Sequence, residues 1–130
     1  MPLKSGMKPQ ASVAELRESI GDISQVEVFH NQVLVGVYIK PELTRGGIIL
    51  TDGTRSEDKW QGKVGAVLKM GPAAFVNDAA NDFHGLEILE DEWILFRVTD
   101  GFSLEVNGVH CRLLEDSHVR GRVPDPTMIY

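Results

Sequence analysis

Residues 93–114 read Trp-Ile-Leu-Phe-Arg-Val-Thr-Asp-Gly-Phe-Ser-Leu-Glu-Val-Asn-Gly-Val-His-Cys-Arg-Leu-Leu, and this stretch decides the fold. Asn107-Gly108 is the strongest hairpin signal in the chain. A two-residue hairpin loop places both central residues at positive φ, where Asn and Gly sit at least cost. On either side, Phe102–Val106 and His110–Leu114 are apolar, β-prone runs that can answer one another across that turn. Trp93–Val98 reads as a further strand, and Asp100-Gly101 gives a second hairpin-type signal before Phe102.

Working outward, the same grammar repeats. Gly62–Met70 reads as a strand closed by Gly71-Pro72. Upstream, Val26, Val28, Gln32, Leu34 and the block Val33–Ile39 carry strand signals, which Pro41 ends by removing a ladder donor. Val119–Val123 adds a last short strand, and Pro124 and Pro126 mark an exit tail. Short strands punctuated by glycine turns predict an all-β fold: a small antiparallel barrel, closed or partly open. Alternation within the strands places Val33, Val35, Val64, Val67, Ile94, Phe96, Leu104, Val106 and Leu113 toward its core.

One helix is expected, ahead of the strands. Ser12 followed by Glu15 forms a capping-box pattern, Val13, Leu16 and Ile20 recur on one face, and Gly21 can stop the helix. So short a helix has too few hydrogen bonds to stand alone and must dock or fray. The expected organisation is an N-terminal extension over 1–25, a barrel domain over 26–123 and a tail over 124–130.

Composition narrows the function classes. The chain has 130 residues, 42% hydrophobic and 25% charged, which is globular rather than disordered composition. A formal charge of −6 and scattered basic residues, densest at Arg112, Arg120 and Arg122, argue against nucleic acid. Trp60, Phe75, Phe83 and Phe102 lack the interleaved basic surface that base stacking requires. No apolar run approaches a membrane span. No hydrophobic segment follows the lysines of Met1–Gln10, so no secretory signal is expected. A lone cysteine, Cys111, excludes an internal disulfide and fits a reducing compartment.

Nothing in the pattern points to catalysis. His30, His84, His110 and His118 show no metal-ligand spacing, and neither a metal nor another cofactor is expected. Residues 76–92 hold Asp78, Asp82, Glu87, Glu90, Asp91 and Glu92 without a lysine or arginine, and read as an exposed acidic connection. Gly46-Gly47 opens no Walker loop, and no serine sits in a nucleophile elbow.

What stands out is Gly46-Gly47-Ile48-Ile49-Leu50-Thr51. An apolar triplet follows two glycines and precedes the polar run Thr51–Lys59. It can be an ordinary barrel strand bent at the glycines. It can also be a mobile binding loop that orders on contact with a partner's hydrophobic groove.

These residues carry a resemblance. Phe29-His30-Asn31-Gln32-Val33-Leu34-Val35 resembles the opening strand of the chaperonin-10 family, the GroES-like co-chaperonins. Gly46–Thr51 resembles that family's mobile loop, and Gln61–Gly71 the strand after it. Glu92–Phe96 and Leu113–Val119 resemble its later strands, in the same order. The resemblance implies a GroES-like barrel without catalytic residues, assembled as a homo-oligomeric, seven-membered ring that caps an ATP-driven chaperonin. Gly46 and Gly47 would give the loop mobility, and Ile48, Ile49, Leu50 and Thr51 would meet the chaperonin apical domains. Pro72–Asp91 stands where the family has its roof hairpin and does not follow its pattern, and Arg120-Gly121-Arg122 is less apolar than its closing strand. These departures and the two extensions would suit a virus-encoded member acting in the host cytoplasm, with capsid protein as client. The cellular expectation is a cytoplasmic co-chaperonin. The alternative is a capsid or other assembly subunit that reuses the barrel within a virion, with the triplet packed against a neighbour.

Overall fold

The computed structural model describes residues 12–38, 63–79 and 82–129, and the backbone of 44–45 and 48–49. Helix α1 spans Val13–Ile20. The strands are β1 (Gln32–Val37), β2 (Thr44–Arg45), β3 (Ile48–Ile49), β4 (Val64–Met70), β5 (Trp93–Leu95), β6 (Phe102–Val106), β7 (Val109–Glu115) and β8 (Gly121–Val123). Six of them form one antiparallel sheet in the order β6-β7-β1-β4-β5-β8, while β2 and β3 pair in a sheet of their own. β6 and β8 are the edges of the larger sheet, and no ladder joins them among the described residues.

The helix forms where its caps predict. Ser12 accepts a hydrogen bond from the Glu15 amide at 3.1 Å, and Gly21, at φ 69°, donates to the Arg17 carbonyl at 2.9 Å. The β6–β7 hairpin turns at Asn107 and Gly108, with φ of 51° and 82°, the left-handed pair that this tight turn demands. Asp100-Gly101 makes no hairpin. β5 pairs with β4 and β8, whereas β6 pairs with β7, so the chain turns a corner there and leaves for the far edge. The corner is held by the Arg97 amide on the Asp100 carboxylate at 2.9 Å and by the Arg112 guanidinium on the Asp100 carbonyl. Trp93–Val98 is correspondingly shorter than expected as a strand, ending at Leu95. Val26–Phe29 lies outside any strand, and β1 begins only at Gln32.

Cross-strand pairing sorts the side chains onto two faces, and both are buried over the centre of the sheet. One face carries Val33, Val35, Val37, Val67, Ile94 and Leu114, covered by Phe96, Ile88, Ala74 and Phe75. The other carries Leu34, Leu68 and Cys111, covered by Ile20 and Ile23, with Leu16 packed against them. Six of the nine expected core residues are buried. Leu104, Val106 and Leu113 are only partly buried and pack on the helix side, the first two on β6 at the sheet edge and Leu113 on β7 beside it. Leu114, one residue further along β7, reaches the first face instead.

The β1–β4 register shifts between Leu34 and Val35, which pair with Lys69 and Val67, so Leu68 is the extra residue of a bulge. Its carbonyl accepts from the Arg17 guanidinium at 3.1 Å. In the same last turn, the Asn107 side-chain amide donates to the Ile20 carbonyl at 2.8 Å, so the hairpin tip also caps α1. Ile20 is 1% exposed between these ties. Truncating it (Ile20→Ala) is expected to cost about 2–4 kcal/mol through lost burial and the cavity left behind. Urea unfolding checks this: the midpoint falls while the slope stays near the parent value.

Candidate functional site

β1 and β4 are the two stems from which residues 39–63 depart. Val37 pairs with Gly65, and beyond it the Tyr38 amide donates to the Val64 carbonyl at 2.9 Å. The Lys63 carbonyl accepts from the Phe96 amide at 2.9 Å, which carries the pairing one residue past β4. The Tyr38 ring stands edge-on to Trp93, centroids 6.1 Å apart at 83°. Tyr38, Val64, Ala66 and Trp93 form one buried cluster, and Val13 and Leu16 of α1 pack against it. The connection thus leaves from a buried base.

Within that connection, Thr44 pairs with Ile49 and Arg45 with Ile48, antiparallel and apart from the main sheet. Gly46, Gly47, Leu50, Thr51 and the polar run to Lys59 lie outside the described residues, as does Trp60. Sequence reading singled out the loop and missed what holds its stems. The available signal was Gly36, a glycine inside a strand, which marks a close approach by another element. A Cβ there would lie 2.8 Å from Leu16 Cδ2.

The other charged and aromatic groups serve as ties. Arg17 bonds Asp91 at 2.8 Å and Glu90 at 3.4 Å, and Arg122 bonds Glu92 at 3.2 Å. The acidic run therefore meets arginines from distant elements. Arg112 is buried, its guanidinium 5.8 Å from the centre of the Phe96 ring, and Arg120 lies 3.5 Å from Asp100. Of the densest basic group in the sequence, Arg112 and Arg120 thus both meet Asp100, while Arg122 meets Glu92. Burial raises the Asp100 carboxyl, but the Arg97 amide and the Arg120 guanidinium outweigh it and hold the group below its ordinary value.

Buried Asp116 accepts from Asn31 at 3.2 Å and from the Phe75 amide at 3.0 Å. The second bond holds Phe75 at φ 60°, unusual for an aromatic residue, where its ring meets Phe83 at 5.5 Å. A cleft of about 530 Å³ lies beside these rings, lined also by Leu86, Ile88 and Leu89. The histidines are dispersed: His118 accepts from the Glu115 amide, His84 faces Asp82, His110 is buried on β7 and His30 stands in the turn before β1. Among the described residues, no group of three or more His, Cys, Asp or Glu side chains could hold a metal ion.

Among the described residues, this arrangement sets the two stems on a buried cluster. Residues 25–123 match the family described as chaperonin 10 Kd subunit. The chain belongs to that family. No curated protein matches it. Membership of the chaperonin 10 family supports a co-chaperonin role in general. The match begins after α1, so the helix lies outside the matched residues.

Cys111 gives this architecture a measurable pH signature. It pairs with Gly36 across β1 and β7, and burial pushes its thiol up to about 11. A thiol raised in the folded state contributes stability that is complete below its unfolded value near 8.5–9. That contribution is lost as pH rises through the folded value. Stability is therefore expected to fall by about 2 kcal/mol between pH 9 and 11. Denaturant titrations across that range check this, because Cys111→Val should remove that part of the slope.

Proposed function

We propose that the protein caps an ATP-driven chaperonin as a homo-oligomeric ring, engaging the apical domains through Gly46, Gly47, Ile48, Ile49, Leu50 and Thr51. The observation that carries this reading is the family match, which spans both stems and the loop between them. Two features support it. The β2–β3 ladder is separate from the main sheet, so the backbone at Ile48 and Ile49 takes no part in the main ladder. The stems on either side end in a buried cluster, so the loop can order on a partner without disturbing the core. In this reading the six-stranded sheet curls into a closed or nearly closed barrel, and the protein works in the cytoplasm.

Ring assembly follows from affinity. A single apolar triplet buried in a groove contributes about 1.5–3 kcal/mol per side chain, less the cost of ordering the loop. Several copies displayed together bind far more tightly than one. Truncation of Ile49 to Ala is expected to weaken each contact by about 1–2 kcal/mol, a loss that compounds around the ring. Co-sedimentation with purified chaperonin and ATP, alongside thermal unfolding of the same variant, tests this. Lost capture at unchanged Tm supports the loop. Lost stability with normal capture by the folded fraction rejects it and favours an assembly subunit whose triplet is packed permanently.

A further inference from the structure

We infer that α1 is a brace for the loop stems: Leu16 and Val13 set the positions of Tyr38 and Val64, and through them the readiness of the loop to bind. The inference rests on the loop reading above and adds a positioning element outside the matched family region. Three observations on described residues converge on it. Leu16 and Val13 pack on the cluster that holds Tyr38 at the end of β1 and Val64 at the start of β4. The contact is close, since a Cβ on Gly36 would lie 2.8 Å from Leu16 Cδ2 and 3.1 Å from its Cδ1. The last turn of the helix is itself tied down, by Arg17 to Asp91 and Leu68 and by Asn107 to the Ile20 carbonyl.

The physical logic is loop entropy. A loop whose ends are fixed samples fewer arrangements, and less is lost when it orders on a partner. Two turns of helix are marginal in isolation, so α1 exists only while it is docked. Anything that lifts it frees Tyr38 and Val64 together. The helix thus couples a segment outside the family match to the base of the candidate binding loop.

The test compares four substitutions in the full chain. Leu16→Ala and Val13→Ala weaken the brace from the helix side, and Gly36→Ala pushes Leu16 away from the sheet side. Ile49→Ala reports on the loop alone. Hydrogen exchange at the Tyr38 amide, which donates to Val64, reads the stem directly. Capture by purified chaperonin with ATP reads binding. Leu16→Ala and Gly36→Ala are expected to speed exchange at Tyr38 about tenfold and to lower capture severalfold. Val13→Ala should do so more weakly, and carries the test if Leu16→Ala does not fold. Adding Gly36→Ala to Leu16→Ala should change little, because the clashing atoms are already gone. Ile49→Ala is expected to lower capture while leaving Tyr38 exchange unchanged.

Unchanged Tyr38 exchange in the helix and glycine variants overturns the brace, as does faster exchange with undiminished capture. In both cases the loop reading stands if Ile49→Ala still lowers capture. Undiminished capture by Ile49→Ala removes the loop reading, and the brace falls with it.

Discussion

The central constraint is that β1 is buried on both faces. Val33, Val35 and Val37 point into one core while Leu34 points into the other, and all four are nearly inaccessible. A strand in that position needs cover on each side, and a six-stranded sheet can supply only one side by curving or by folding a connection over itself. Here the second cover is α1, which approaches β1 closely because Gly36 has no side chain. The bulge at Leu68, the Arg17 guanidinium that occupies its carbonyl and the Asn107 cap on the last turn all secure that one helix-on-strand contact. None contributes much by itself. An exposed ion pair gives a few tenths of a kcal/mol, whereas the apolar seam beneath it contributes several.

The opposite face is an apolar cluster closed by irregular chain, whose path is fixed by buried polar joints. Asp116 fixes the end of β7 to Asn31 and to the left-handed Phe75 amide. Asp100 and Arg112 fix the corner between β5 and β6. Buried groups of this kind are costly when a partner is missing, so each joint specifies where its connection must run. The acidic residues at 90–92 make more exposed ties, where Arg17 and Arg122 reach them from the helix and from the last strand.

These joints position the connections, and the family match supports a co-chaperonin role in general. Function in such a protein depends on what its surface presents, and the fold alone does not dictate it. The structure contributes a well-defined base: two stems and one aromatic pair in one buried cluster, with two helix residues packed against it.

The sequence by itself determined the strand content, the Asn107-Gly108 hairpin, the caps of α1 and the family resemblance, because each is encoded in neighbouring residues. Turn chemistry, capping and alternation act over a few positions and survive without tertiary context. It also singled out the apolar triplet, through contrast with the polar run beside it. Only the tertiary structure decided that Asp100-Gly101 is a corner and not a hairpin, since the partner of β6 is chosen by the whole sheet. Likewise, α1 read as an appendage because local signals show an amphipathic stripe but not the surface that receives it. That surface is assembled from β1, β4, β5 and β7, strands far apart in sequence, and exists only after the sheet has formed.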